Sequence, residues 1–209
     1  MTDLTVIFGV HQDCPVTEFH LQELRRNTLG AVFPVAFESC VCAALKVPGP
    51  LDPSLRWWHC DRMIYRAFEA LPKSKRYLYL EYDTLCNFPL EQLYETVWDS
   101  EMGAVEIVTL KAEPDWWFWL LKRDGFPVND STWGVRPMCG TFFSRDALAA
   151  ISDEQSKPSY EKLFCEIRVG EAARSVGIVP KLIKVSRGKM DHFPVHPDGP
   201  GIWHPVKTI

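Results

Sequence analysis

The sequence predicts an α/β protein with a mostly parallel central sheet and flanking helices, in a single domain spanning residues 1–209. Three observations carry this expectation. Leu4–Val10 is a continuous apolar, β-branched run, the pattern of a strand buried on both faces. A helical segment and a second apolar run, Ala31–Phe37, follow directly, and strand, helix, strand is the start of a parallel sheet. Further on, Lys75–Asn87 alternates through Tyr77, Leu78, Tyr79 and Leu80 and ends in two carboxylates, Glu81 and Asp83, as an inner strand would if its carboxyl end carried chemistry.

The first strand ends at Gly9 and His11 and leads into a loop. Thr17 suits the N-cap of a helix from Glu18 to about Leu29, stopped by Gly30. Leu45–Asp52 is rich in Pro and Gly and reads as a loop. Asp52 before Pro53 is a helix start, and Trp57, Cys60, Ile64, Phe68 and Leu71 recur at helical spacing up to Pro72. Asp61 falls in the same inward stripe; its partner is Arg62 or a ligand hydroxyl, or else it caps a helix that starts later.

After Asp83 the pattern predicts a helix over Pro89–Trp98, a strand over Ala104–Leu110 and an aromatic-rich helix or loop over Asp115–Leu121. Pro137–Ser144 is strand-like, and Gly140 within it marks close approach by a ligand or by backbone. Asp146–Ile151 and Tyr160–Val176 read as helices, the second ended by Gly177, and Ile178–Val185 as a strand. From Ser186 onward His, Pro and Gly dominate without periodicity, but Phe193 and Trp203 predict that the tail packs.

A net charge of −4 gives no general attraction to nucleic acid or anionic membrane. The start lacks the features of a signal peptide and no apolar run is long enough to span a bilayer, so a cytoplasmic protein with no membrane span is expected. The cysteine count, 7, is odd and the surroundings are mostly apolar, which fits reduced, buried thiols. Cys40 and Cys42 form a Cys-x-Cys with no second pair nearby, a weak zinc signal.

A buried carboxylate is costly unless it is paired or holds a metal, so Glu81 and Asp83 read as ligands of a divalent cation bridging to phosphate, or as two acids solvated in a loop. The order of elements resembles the GT-A fold of nucleotide-sugar glycosyltransferases. Glu81-Tyr82-Asp83 stands as the Glu-x-Asp form of their Asp-x-Asp motif. The closing Gly201-Ile202-Trp203-His204-Pro205-Val206-Lys207 is similar to the C-terminal His-x-x-Gly-x-x-Lys segment of glycogenin-like retaining transferases, but lacks the glycine between His204 and Lys207. His196, just upstream, is the other possible ligand.

The resemblance implies transfer of a sugar from a nucleoside-diphosphate donor, UDP favoured, to a saccharide acceptor, with Mn²⁺ or Mg²⁺ neutralising the leaving diphosphate. It implies Asp83 as the principal metal ligand, Glu81 as second ligand or as a ribose or water-mediated donor contact, His204 as the tail ligand and Lys207 on the diphosphate. Gly9, Val10 and His11 would lie by the base and ribose, with Tyr82 as a stacking or hydroxyl contact and Arg62 as a second phosphate contact. Glu166 is the first candidate for a catalytic base, ahead of Glu161 and Asp146. Trp116, Trp117 and Trp133 are candidates for the acceptor side, with core packing or a dimer contact as the competing role. Two other classes remain: a metal-dependent nucleotidyltransferase, whose glycine-rich, lysine-bearing entry loop is missing, and a noncatalytic sugar-nucleotide-binding domain of the same fold.

Overall fold

A computed structural model of the chain describes residues 3–11, 15–37, 45–49, 56–116, 119, 128–191 and 193–207. The chain begins with β1 (Leu4–Val10), α1 (Pro15–Arg26), β2 (Ala31–Phe37) and β3 (Leu45–Val47). A 3₁₀ turn at Trp57–His59 leads into α2 (Asp61–Ala70), β4 (Arg76–Glu81), β5 (Leu85–Cys86) and α3 (Leu90–Leu93). There follow β6 (Met102–Ala104), β7 (Ile107–Thr109), β8 (Trp133–Val135), β9 (Phe142–Ser144), α4 (Arg145–Gln155) and α5 (Cys165–Ser175). The last strands are β10 (Lys181–Leu182), β11 (Gly188–Met190) and β12 (Ile202–His204).

The central sheet has the order β10-β6-β9-β4-β1-β2-β3. Only β9 runs against its neighbours, β4 and β6; the other pairings in this sheet are parallel. Strand alternation sorts the core into two layers. Tyr77 and Tyr79 of β4 join residues of α2, α4 and α5 on one face, while Leu78 and Leu80 join residues of α1 and α3 on the other. All seven residues of β1 are buried, as a strand covered by helices on both sides requires.

The sheet also locates the site. From β1 the chain passes through α1 to β2 on one side, then returns through α2 to β4 on the other side of β1. The carboxyl ends of β1 and β4 therefore flank a topological switch point, where open α/β sheets leave a crevice for ligands. His11 and Glu81 stand at its mouth, next to the Gly9–Glu81 register pair.

Several elements differ from the sequence reading. The expected strand Ala104–Leu110 is split between the central sheet (β6) and a separate two-stranded ribbon of β7 with β8. The bend falls at Val105, and the next residue, Glu106, bonds Arg136 through both its carboxylate and its carbonyl. Of Ile178–Val185 only two residues join the sheet, preceded by Pro180, which has no N–H to donate. The helix expected over Pro89–Trp98 breaks at Tyr94 into one short helix and a 3₁₀ turn. Leu45–Val47, expected as loop, adds an edge strand beside β2. The second long helix starts at Cys165 because Leu163 and Phe164 are extended. The helix start at Asp52, and Cys14, Cys40 and Cys42, lie outside the described residues.

Asp61 has a partner that neither reading of the sequence named. Arg168 of α5 grips it with two bonds, Nε to Oδ2 at 2.7 Å and a terminal nitrogen to Oδ1 at 3.1 Å, and also donates to the carbonyl of Trp58 at 3.0 Å. Both side chains are at most 2% exposed. The pair ties the turn before α2 to α5, the two elements that form one wall of the crevice. Removing one partner of a buried ion pair strands the other charge, so Arg168→Ala should lower unfolding stability by about 3–5 kcal/mol in urea titrations. A loss below about 1 kcal/mol would show that the pair does not hold this wall in place.

Candidate functional site

The crevice is a cleft of about 410 Å³ lined by side chains from both ends of the chain. Its floor is the end of β4. Tyr82 N–H donates to the carbonyl of Gly9 and Thr84 N–H to that of Glu81, so the chain turns tightly and presents Glu81 and Asp83 toward the same space. The tail meets them there. β12 pairs antiparallel with β5, and beyond it Val206 N–H donates to the Asp83 carbonyl at 2.8 Å. At the other end of the pairing, Asn87 N–H donates to the Gly201 carbonyl and Gly201 N–H to Asn87 Oδ1.

This backbone stitching brings His204 Nε2 to 3.4 Å from Glu81 Oε2 and 3.3 Å from Asp83 Oδ1. His204 Nδ1 lies 3.1 Å from the Asp191 carbonyl, which can only accept, so Nδ1 carries the proton and Nε2 is the nitrogen aimed at the acids. Lys207 pairs with Asp83 Oδ2, and its ammonium lies 5.3 Å from the centre of the Tyr82 ring. Glu81 Oε1 faces the other way, 3.5 Å from His11 Nε2. Behind the acids, Cys139 Sγ accepts from Glu81 N–H at 3.3 Å and lies 3.2 Å from Thr84 Oγ1.

Burial and charge oppose each other in this cluster. Burial alone would raise the Glu81 carboxyl, but His11 and His204 hold it well below the usual carboxylate range. Asp83 is likewise depressed, burial being outweighed by His204 and Lys207. Burial pulls the His204 imidazole down, and Cys139, Asp83 and Glu81 together lift it well above its ordinary value. The acids are thus ionised and neutralised by the two basic groups of the tail.

The donor set Glu81, Asp83 and His204 offers two carboxylates and an imidazole, with ligand atoms within 4.8 Å of one another. Spacings of 3.3–3.4 Å between them are close to the edge of a coordination polyhedron with bonds of about 2.1 Å. Asp83 Oδ1 is wholly buried and has no hydrogen bond of good geometry, only the ion-pair contact to His204 Nε2, and a cation would supply the ligand bond it lacks. These residues fit a divalent metal.

Glu166 also lines the cleft, from the first turn of α5. Its Oε1 accepts from Met138 N–H at 2.9 Å, and burial pushes its carboxyl up to about 8. The other expected acids are elsewhere. Glu161 is exposed and pairs with Arg62 at 2.5 Å, and Asp146 is exposed on the first turn of α4.

Other expectations need correction. Arg62 lies in a separate surface depression with Glu161, and Arg56 is the arginine that reaches the cleft. Gly9 and Val10 are buried and line none of the cleft; a Cβ on Gly9 would stand 2.5 Å from the Tyr79 hydroxyl, so its role is to admit that ring. Gly140 answers to backbone and packing, with φ of +91°, a bond from its N–H to the Tyr79 carbonyl, and a Cβ position 2.9 Å from Met190 Cε. Trp116 packs edge-on against Trp119 and under Arg136, and Trp133 sits on β8; neither lines the cleft. Trp117 lies outside the described residues. His196 is exposed, and His204 is the histidine that meets the acids.

The aromatic wall of the cleft is instead Trp57 with Phe164, their ring centroids 4.8 Å apart, and Trp57 is 42% exposed. In the sequence Trp57 was one member of a helical stripe, with nothing to separate it from core. Cys60, Cys139 and Cys165 also line the cleft, although as residues in apolar runs they gave no signal beyond burial.

No family model and no curated protein matches the sequence. Among solved structures, the chain is similar to the inositol-1-phosphate CTP transferase from T. maritima, with 7% identity and a TM-score of 0.47 over 87% of this chain and 85% of that one. It is also similar to HddC from Yersinia pseudotuberculosis, with 14% identity and a TM-score of 0.39 over 79% of this chain and 84% of that one. The architecture itself is mixed α/β, with a large central sheet and flanking helices. No helix among the described residues is long and apolar enough to cross a membrane.

Glu166 makes the pH dependence of folding a direct test of the cleft's polarity. Its folded value, about 8, lies above the unfolded value near 4.3, so the folded state holds the extra proton between these limits. Stability should therefore fall as pH rises through that window, by up to about 1.4 kcal/mol per unit from this group. Glu166→Gln keeps the acceptor for Met138 N–H and removes the titration, so the variant should gain stability relative to the native chain from pH 5 to 8 in thermal melts. Parallel curves for the two proteins would show that Glu166 is not a neutral acid in this cleft.

Proposed function

We propose that the chain acts as one domain and is a metal-dependent transferase acting at the pyrophosphoryl group of a nucleotide substrate, in its finer form a glycosyltransferase using a nucleoside-diphosphate sugar, with UDP favoured, and a saccharide acceptor. One observation carries the reading: His204 and Lys207 of the tail converge on Glu81 and Asp83 at the switch point of the sheet. A nucleoside diphosphate leaves poorly until the charge on its terminal phosphate is neutralised, and a bound Mn²⁺ or Mg²⁺ would supply that neutralisation. Glu81, Asp83 and His204 would hold the ion.

The protein's own groups then divide the work. Lys207, half-exposed, turns from Asp83 to a phosphate oxygen and fixes the leaving group. Arg56 adds a second positive group to the cleft. Trp57 and Phe164 offer flat apolar faces to a sugar or base. As the bond from the sugar carbon to the diphosphate breaks, a bond to the acceptor oxygen forms. The acceptor proton passes to Glu166 once that group is ionised, or to the departing phosphate oxygen if the sugar configuration is retained.

Nucleotidyl transfer, the kind of reaction named for the T. maritima neighbour, is the other reading of the same constellation. It differs in its product: pyrophosphate leaves, where glycosyl transfer releases a nucleoside diphosphate.

A panel of nucleotide sugars and nucleoside triphosphates should identify one ligand that raises the melting temperature only with Mn²⁺ or Mg²⁺ present. Asp83→Ala should abolish that shift; its melting point without ligand should also fall, because His204 loses a buried partner, so each shift is measured against the same variant without ligand. Because His204 must lose its proton to bind a cation, the metal's affinity should rise with pH. A shift that survives Asp83→Ala, or turnover that continues in excess EDTA, would remove the metal mechanism. Binding with no product of either kind would leave a noncatalytic domain.

A further inference from the structure

The two oxygens of Glu81 face different partners. Oε2 looks to His204 at 3.4 Å and Oε1 to His11 at 3.5 Å, and on the His11 side stands a third donor, Cys60 Sγ. The ligand atoms of His11, Cys60 and Glu81 all lie within 4.8 Å of one another. They come from three elements fixed by the fold: the end of β1, the turn before α2 held by the Asp61–Arg168 pair, and the end of β4. All three side chains line the cleft, so an ion can reach them.

We propose that Glu81 bridges two cation sites, and that the second, formed by His11 Nε2, Cys60 Sγ and Glu81 Oε1, takes a thiophilic divalent ion of the Zn²⁺ type. The two donor sets select different metals. Two carboxylates and one imidazole suit a hard, oxygen-seeking ion, whereas a thiolate, an imidazole and one carboxylate oxygen suit borderline-soft Zn²⁺. Three protein ligands leave a fourth position open to the cleft, the arrangement of zinc sites that bind water or substrate. The entering ion displaces the Cys60 thiol proton to solvent. Cys165, whose Sγ lies 3.3 Å from Cys60 Sγ, can then donate its S–H to the new thiolate. The inference shares Glu81 with the proposed transferase site but needs no nucleotide.

Co²⁺ reports the site directly, because a cobalt–thiolate bond has a charge-transfer band in the near ultraviolet that oxygen and nitrogen ligands lack. The full chain, with Cys40→Ser and Cys42→Ser to silence that pair, is stripped of metal and titrated with Co²⁺. The band is expected in this parent. It should vanish in Cys60→Ser and persist in Asp83→Ala, which removes only the other site. His11→Ala, a partly exposed position that spares the core, should weaken Co²⁺ binding by about tenfold or more. Glu81→Gln should weaken both this band and Mn²⁺ binding.

A folded parent with no band, a band that survives Cys60→Ser, or a band lost in Asp83→Ala would each overturn the second site, and Mn²⁺ binding unaffected by Glu81→Gln would overturn the bridge. A cobalt band in a protein that shows no metal-dependent nucleotide binding would sink the transferase reading alone.

Discussion

The antiparallel pairing of β12 with β5 is the constraint on which the site depends. Without it, His204 and Lys207 would belong to a segment rich in Pro, Gly and His, whose ordering costs about 1–2 kcal/mol per residue in backbone entropy. The pairing offsets that cost locally. Backbone bonds run from Gly201 to Val206, and Leu85, Val195, Trp203 and Val206 form a small apolar cluster around them. Because β5 starts two residues after Asp83, any strand laid along it must bring its own end to the acids. The geometry of the site is therefore a consequence of sheet register.

Charge makes the same junction stable in the folded protein. Glu81 and Asp83 cannot be buried as bare anions. The tail brings an imidazole and an ammonium, and β1 brings His11, so the acids are ionised inside a cluster that compensates them. Asp83 Oδ1 is buried with no hydrogen bond of good geometry, its positive neighbour being His204 Nε2 at 3.3 Å. A group of this kind is costly as pure structure and useful as a ligand. Glu166 shows the contrasting case in the same cleft: with one backbone donor to Oε1 and burial dominating, it is driven toward the neutral acid.

The wall opposite the tail is organised by a second buried pair. Asp61 and Arg168 hold the Trp57–Cys60 turn against α5, and that contact sets Trp57, Phe164, Cys60 and Cys165 along one side of the cleft. The aromatic face is thus supplied by the helix layer of the sheet's own core, while Trp116 and Trp119, between β7 and β8, pack on each other, with Trp116 beside Arg136.

Local pattern was enough for β1, β2 and β4, since an unbroken apolar run or a strict alternation needs no distant partner to be recognised, and enough to place Glu81 and Asp83 at a strand end. The tail's His204 and Lys207 were singled out only through the resemblance of that segment to glycogenin-like transferases. Local pattern was misleading where one apolar run divides between two sheets, as between Ala104 and Ile107, or where a short run such as Leu45–Val47 becomes a strand only because β2 lies beside it. The meetings themselves depend on chain folding over long separations: Asp61 and Arg168 are 107 residues apart, and Glu81 and His204 are 123. No local period encodes such pairs. They arise because the central sheet sets the carboxyl ends of β1 and β4 side by side and the separate β11-β12-β5 sheet brings the tail to them, so residue chemistry was readable one position at a time, whereas its assembly into a cleft with Arg56, Trp57, Cys60 and Glu166 came from packing.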